Sequence, residues 1–179
     1  MNRMQSAPVW WLIGVVLVAS VGCDQFTKHV AQNHLKGQPV ASYWGDTFRL
    51  QYAENPGAFL GLGQDLPEGV RRTLLIGVNL AIASALATVM VVGRRMGPLS
   101  LSACALLLAG ALGNLIDRVQ HGGLVIDFMN LGLGPVRSGI FNVADVAISA
   151  GAVALALCSS RTPPKSAADE SATQDVTKG

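Results

Sequence analysis

The stretches Leu74–Val92, LLIGVNLAIASALATVMVV, and Leu99–Ile116, LSLSACALLLAGALGNLI, decide the fold, because neither contains a charged residue. A helix needs roughly 17–25 apolar residues to cross the hydrocarbon core of a bilayer, and both stretches reach that length. Backbone groups in lipid must find their hydrogen bonds within the segment, so we predict that both stretches are membrane-spanning helices.

Two further apolar runs flank this pair. Val9–Cys23 is short but can continue as a helix toward Gln32, and Ile140–Leu157 is interrupted only by Asn142 and Asp145. We therefore predict an all-α membrane protein, a four-transmembrane-helix bundle with spans near residues 9–32, 73–92, 99–117 and 140–158.

The composition agrees with a membrane protein. Only 13% of the 179 residues are charged and 50% are hydrophobic, whereas soluble domains carry about 25% charged residues. The net charge of +2 and the scattered basic residues give no reason to expect a nucleic-acid partner. The three cysteines form no CxxC motif, so we expect neither a metal site nor a disulfide framework. We also expect no cofactor, and a monomer.

Ser20-Val21-Gly22-Cys23 permits a rival interpretation, in which the first run is a lipoprotein signal peptide that is removed before Cys23. A lipobox usually has Leu where this chain has Ser20. Three further spans follow, and a secreted lipoprotein has none. The first run is therefore better interpreted as a span.

Two long polar connections link the spans. In residues 33–72, Thr47–Tyr52 alternates polar and apolar residues as a half-buried strand does, and Asn55-Pro56-Gly57 is a turn motif. We predict a small β-rich cradle there. The second connection covers residues 118–139. Residues 1–160 form one predicted domain, and the polar tail, residues 161–179, is predicted to be disordered.

Four spans would put both termini on one side of the membrane and both long connections on the other. Arg94 and Arg95, in the short loop between the second and third spans, favour the cytoplasm for the side with the termini. Arg71 and Arg72 oppose that orientation. Charge alone leaves the orientation open.

Ionisable residues near membrane depth are costly and usually functional. Here they gather at or near the span ends on one predicted side of the membrane, together with the polar residues Asn114 and Asn142: the ionisable ones are Asp24, Lys28, Asp117, Arg118, Asp127 and Asp145. Two carboxylates held close together share one proton, which gives a base for water and an acid for a leaving amine. Asp127 and Asp145 are the candidate pair for such peptide hydrolysis. Spacing alone leaves two alternatives open, namely that Asp145 pairs with Arg118 and that Asp127 caps a turn.

Four blocks resemble those of the lipoprotein signal peptidases (signal peptidase II). These blocks are residues 24–28 (DQFTK), residues 54–59 (ENPGAF), residues 113–118 (GNLIDR) with 125–128 (VIDF), and residues 141–145 (FNVAD). Their order, spacing and positions at span ends all fit, and the resemblance covers roughly Trp10 to Leu157.

The resemblance implies an aspartic endopeptidase of the bacterial inner membrane. Such an enzyme removes the signal peptide of diacylglyceryl-prolipoproteins, cutting just before the lipidated cysteine. It implies cytoplasmic termini, an active site at the extracytoplasmic face, and contact with membrane lipid and prolipoprotein substrates. Asp127 and Asp145 match the catalytic pair, while Asn55, Gly57, Asn114, Arg118 and Asn142 match the polar lining of the site. Asp24 and Lys28 match a support block, and their i, i+4 spacing is also that of a surface ion pair.

Two other classes of function stay open on sequence alone. A proton-coupled transporter would place acids nearer the midplane and between repeats, and a scaffold protein would not need either aspartate.

Overall fold

A computed structural model of the protein describes residues 7–57, 65–92 and 96–159. Within these ranges the helices are α1 (Ala7–His34), α2 (Glu68–Val92), α3 (Pro98–Gln120) and α4 (Val143–Ser159). The strands in the same ranges are β1 (Ala41–Tyr43), β2 (Phe48–Asn55), β3 (Val125–Leu133) and β4 (Val136–Arg137). Ala58 and Phe59, the Arg94–Arg95 pair and the tail from residue 160 lie outside the described residues.

The helices are of the kind that the sequence predicts. In the described part of the chain, α1, α2 and α3 are long and apolar enough to cross a membrane, and α4 is a shorter apolar helix. A fourth crossing therefore stays a prediction.

Helix α3 is the centre of the bundle and packs against α1, α2 and α4. Its residues Leu101 and Ala105 are fully buried, whereas α1 and α2 expose large apolar side chains such as Trp11 and Val92. Outward-facing apolar side chains are expected of helices whose solvent is lipid.

Small residues allow α3 and α4 to approach closely. A side chain on Gly110 of α3 would clash with the carbonyl oxygen of Ala144 and with Ile148. A Cβ on Gly151 of α4 would lie 2.7 Å from the carbonyl oxygen of Ala103. These glycines bring the start of α4, and with it Asp145, against α3.

Two helices start away from the predicted span bounds: α2 begins at Glu68, five residues before residue 73, and α4 begins at Val143, three residues after residue 140. The backbone of Phe141 pairs with Met129 of β3 and is therefore not helical. Its N–H donates to the carbonyl of Met129 over 2.8 Å, and its carbonyl accepts the N–H of Met129 over 2.9 Å. Asn142 then follows as the residue that starts the helix.

The strands form one antiparallel sheet in the order β1-β2-β3-β4. The strand predicted at Thr47–Tyr52 is confirmed except at its first residue, since β2 begins at Phe48 and runs on to Asn55. The register between β2 and β3 shifts between Leu50, which pairs with Met129, and Ala53, which pairs with Asp127. Three residue steps along β2 thus match two along β3, as in a β-bulge. The strands β3 and β4 in the second connection were not predicted.

Candidate active site

Asp127 and Asp145 reach the same cavity from different elements. Asp127 is a buried residue of β3, and Asp145 is the third residue of α4. The cavity has a volume of about 720 Å³, and its wall is otherwise largely apolar, with Val125, Phe141 and Val146. Five of the nine predicted site residues line it: Asn55, Asn114, Arg118, Asp127 and Asp145.

The start of α4 fixes the position of Asp145. The N–H of Asp145 donates to Asn142 Oδ1 over 3.0 Å, and the N–H of Asn142 donates to Asp145 Oδ2 over 3.2 Å. This reciprocal pair is a capping box, with Asn142 as the N-cap. The helix N-terminus carries a partial positive charge, which stabilises a carboxylate at this position. The Asn-x-x-Asp spacing ahead of an apolar run would have revealed the capping box in the sequence.

Asn142 also connects the two aspartates, because its side-chain nitrogen has different partners from its capping oxygen. Nδ2 donates to Asp127 Oδ1 over 2.7 Å and to Asn114 Oδ1 over 3.1 Å. Asn142 is fully buried. A single asparagine therefore holds one carboxylate through its side chain and the other through the helix that it starts.

Asn55 holds Asp127 from the opposite strand. Its Nδ2 donates to Asp127 Oδ2 over 2.9 Å, and its Oδ1 accepts the N–H of Gly57 over 2.9 Å. The second contact closes a turn in which the Asn side chain replaces a backbone acceptor. Gly57 is thus placed by Asn55, and Asn55 is itself fixed by the turn.

Burial raises the pKa of Asp127 to about 6, and the nearby charge of Asp145 adds to that rise. The amide donors of Asn55 and Asn142 act against it, because they stabilise the ionised form. Asp127 therefore keeps a proton to higher pH than an ordinary carboxyl. The alternative in which Asp127 caps a turn does not fit, since Asp127 lies within β3.

Asn114 and Arg118 project from one face of α3 into the cavity. Asn114 Nδ2 donates to Asp145 Oδ1 over 3.0 Å. Arg118 donates to the backbone carbonyls of Asn114 and Gly57 over 3.2 and 3.1 Å. Among the described residues Arg118 donates its hydrogen bonds to carbonyls, so the alternative of a direct Asp145–Arg118 pair does not fit.

Behind the cavity lies a buried charge cluster, which we define as Asp24, Lys28 and Asp117. Lys28 Nζ lies 2.9 Å from Asp24 Oδ2 and 2.9 Å from Asp117 Oδ2. The Lys28 side chain is 2% exposed and both carboxylates are 1% exposed. The interpretation of Asp24 and Lys28 as a surface ion pair is therefore wrong, because i, i+4 spacing says nothing about what covers the pair.

The charge cluster contacts the backbone next to both cavity aspartates. Asp24 Oδ1 accepts the N–H of Ala144 over 2.8 Å, and Asp117 Oδ2 accepts the N–H of Ile126 over 2.9 Å. Lys28 Nζ also donates to Asn114 Oδ1 over 3.1 Å. The charge cluster thus holds the backbone at the residues just before Asp127 and Asp145.

Asp117 and Gln25 also belong to this site, although the sequence placed Asp117 only among the ionisable residues near the span ends, without a role, and did not single out Gln25. Gln25 Nε2 donates to Asp117 Oδ1 over 3.0 Å and to the carbonyl of Gly113 over 3.2 Å. Both residues stand inside quoted sequence blocks. A carboxylate in the block with Asn114, three residues further along a helix, could have been recognised as its neighbour on the same face.

Comparison with known proteins gives concordant matches. The sequence profile described as signal peptidase (SPase) II matches residues 16–161. The chain is 34% identical over 147 residues to the lipoprotein signal peptidase of Escherichia coli O1:K1 / APEC, which covers 82% of this chain and 85% of that protein. The lipoprotein signal peptidase of Shigella boydii serotype 18 matches with the same identity and coverage.

Two solved structures share the fold. They are described as bacterial membrane enzymes determined by the in meso method, at 2.3 and 1.9 Å resolution. Their TM-scores are 0.74 and 0.72, each at 24% identity. The matches cover 93% and 90% of this chain, and 98% and 99% of the solved chains.

Proposed function

The chain belongs to the signal peptidase II family, and from that premise we propose that it is a membrane aspartic endopeptidase that removes the signal peptide from prolipoproteins. In this proposal the substrate carries a diacylglyceryl group on a cysteine, and the bond cut is the amide just before that cysteine. Asp127 and Asp145 activate the attacking water.

The observation that supports the aspartic mechanism most strongly is the double contact of Asn142. This residue holds Asp127 through its side-chain amide and Asp145 through the capping box, at 2.7 and 3.2 Å. Two carboxyl groups held close together share one proton, and the charge of Asp145 contributes to the raised pKa of Asp127. The raised pKa of Asp127 and the position of Asp145 at a helix N-terminus favour Asp127 as the protonated member.

The proposed step balances as follows in protons and bonds. Asp145 takes a proton from water as the water oxygen bonds to the scissile carbonyl carbon, and Asp127 gives its proton to the carbonyl oxygen. The C–N bond then breaks, Asp145 passes its proton to the leaving nitrogen, and Asp127 recovers a proton from the new carboxyl group. General acid and base groups of this kind need only hydrogen-bond reach of the reacting atoms.

Asn55 and Arg118 complete the proposal at the scissile bond. One N–H of the Asn55 amide is used by Asp127, and we assign the other to the carbonyl oxygen on which charge develops. Arg118 lines the cavity and keeps Gly57 in place through its carbonyl. The forked guanidinium uses a separate nitrogen for each carbonyl, Nη1 for that of Asn114 and Nη2 for that of Gly57.

The proposed reaction explains why the cavity sits where apolar helices end. The lipid on the substrate cysteine stays in the bilayer and the signal peptide is an apolar helix, so the scissile amide must be cut at the membrane surface. We propose four crossings, with both termini in the cytoplasm and the cavity at the extracytoplasmic face of the bacterial inner membrane. Arg94 and Arg95, which favour this orientation, lie outside the described residues.

Cleavage of a diacylated prolipoprotein peptide by the purified protein in detergent tests the proposal. Wild type should cut before the lipidated cysteine, with or without a chelator, and Asp127→Asn and Asp145→Asn should each abolish cleavage. Asp65→Asn is the matched control, because Asp65 is an exposed aspartate outside the cavity lining, and it should leave the rate unchanged. Full activity in either cavity variant would remove that aspartate from the mechanism.

A further inference from the structure

The outer half of the sheet has two chemically different faces, which the strand register defines. Phe48 pairs with Tyr43 on one side and with Leu131 on the other, and Leu133 pairs with Val136. Directly paired residues of antiparallel strands share a face, and so do residues two apart on one strand. These five side chains therefore lie on one side of the sheet, and with Trp44 at the adjoining turn we call them the apolar sheet face.

The opposite face is polar and internally paired. Arg49 lies between its strand partners Ser42 and Asn130, and Arg137 donates from Nε to Asn130 Oδ1 over 2.6 Å. Asp46 accepts from Ser42, Arg49 and Arg137. The outer sheet is thus amphipathic, with its charges held on one side.

The apolar sheet face is uncovered by the described residues. Trp44 is 80% exposed, and Leu133 and Val136 are each 76% exposed. Single exposed apolar residues are common on proteins, but several large ones on one face mark an interaction surface. Water is therefore not the solvent expected against this face.

Trp44 is held outward at a conformational cost. Its φ is 51°, a left-handed backbone conformation that bulky residues rarely adopt. The turn continues with Gly45 and Asp46 at φ 61° and 70°, and the hydrogen bonds of Asp46 fix it. The Trp44 ring centroid lies 5.7 Å from that of Phe48, so the indole sits against the apolar sheet face. Strained residues persist where the surrounding structure enforces them and commonly serve a function.

We propose that the apolar sheet face rests in the interfacial layer of the lipid bilayer, with Trp44 as its anchor. The face is tied to lipid-facing helices on both sides: β1 follows α1 after residues 35–40, and β3 follows α3 after residues 121–124. The outer part of α1 exposes Phe26 and Val30, so an apolar surface leads from the helices toward the sheet. Tryptophan is enriched at membrane–water interfaces, and an amphipathic element lies there with its polar face to water.

The register gives this contact a further consequence. Asp127 and Leu131 are four residues apart on β3, so the Asp127 side chain and the apolar sheet face belong to the same side of the sheet. A sheet resting on the bilayer would turn the side that bears Asp127 toward the membrane. The value of this for cleaving a lipidated substrate rests on the proposed function, whereas the membrane contact does not.

Fluorescence of Trp44 in lipid vesicles tests the proposal without any activity measurement. The chain has three tryptophans, so Trp10→Phe and Trp11→Phe leave Trp44 as the single emitter. The protein is reconstituted in phosphatidylcholine vesicles that contain lipids brominated either near the carbonyl end or near the terminal methyl of the acyl chain. Iodide in the buffer serves as the aqueous quencher. The control adds Trp44→Phe and Ser42→Trp, which moves the single indole to the polar face.

The proposal requires a blue-shifted emission of Trp44 that is quenched by lipid brominated near the carbonyl end and protected from iodide. The Ser42→Trp control should show the reverse pattern. Adding Leu133→Asp and Val136→Asp to the Trp44 protein should expose the indole to iodide. If iodide quenches Trp44 as strongly as the control, the face is in water and the proposal fails. If neither quencher reaches Trp44, a protein contact covers the face and the proposal also fails.

Discussion

Replacing Lys28 with Met should destabilise the protein strongly, because the ammonium group holds two buried carboxylates together. Met has a similar length, so the change removes the charge while largely filling the space. Removing one partner of a buried ion pair costs about 3–5 kcal/mol. At about 2–4 °C of melting temperature per kcal/mol for a chain of this size, the expected fall in Tm is roughly 6–20 °C.

The assay is thermal unfolding in detergent. Unfolding is monitored through the reactivity of the buried Cys104 thiol, in a background where Cys23 and Cys158 are replaced by Ser. Lys36→Met is the matched control. Lys36 Nζ lies 2.7 Å from Glu54 Oε1, but both side chains are exposed, and surface pairs contribute little. Its Tm should equal that of the parent protein.

A second variant separates the charge from the packing. Lys28→Met leaves Asp24 and Asp117 buried with no cation between them, whereas Lys28→Met with Asp24→Asn leaves a single buried carboxylate. The double variant should therefore recover part of the lost Tm, which a double-mutant cycle measures as coupling between the two sites. A Lys28→Met protein that melts with the Lys36→Met control, or a double variant less stable than the single one, would refute the reasoning.

The other two predictions concern the cavity and the helix packing. Asn55→Ala removes a donor that stabilises ionised Asp127, so the pKa of Asp127 should rise above about 6. The limb of the pH profile of kcat/KM that reports this group should therefore move to higher pH. In the same variant, kcat should fall by a larger factor than substrate binding weakens. An unmoved limb with unchanged turnover would contradict the contact. Gly110→Ala should lower Tm, since overpacking costs about 1–3 kcal/mol, whereas Gly77→Ala, whose added Cβ meets open space, should hold or raise Tm because Ala favours a helix by about 1 kcal/mol. Equal Tm values would mean that α3 and α4 are not in close contact.

The helices could be predicted because one physical property, burial in lipid, acts on every residue of a span. Leu74–Val92 and Leu99–Ile116 lie wholly within α2 and α3 for that reason. The start of α4 could not be placed from hydropathy, because Phe141 is apolar and yet gives its backbone to β3. Apolar character does not distinguish a strand end from a helix start in so short a stretch.

The meeting of Asp127 with Asp145 depends on distant partners that residue spacing does not specify. Asp127 is placed by pairing with β2, more than 70 residues earlier in sequence, as the Asn55 contact shows. Asp145 is placed by the packing of α4 on α3. The family resemblance supplied the pair, and the elements that hold it came only from the structure. For Lys28 the partner could be predicted, because Asp24 lies one helical turn away in the sequence. The burial of the pair could not be predicted from that spacing.

The bulge in β2 determines how the strand responds to the deletion of residues, because side chains alternate between the two faces of a strand. Counted from Leu50 without an interruption, Asn55 would fall on the face opposite Leu50, whereas the bulge returns it to the face of Asp127. Loss of one residue at positions 51–52 would erase the bulge and keep Asn55 in phase. Loss of two would turn Asn55 away from Asp127. In a strand without a bulge, deleting two residues keeps the following side chains on their original face and deleting one does not. At the bulge of β2 we expect the opposite.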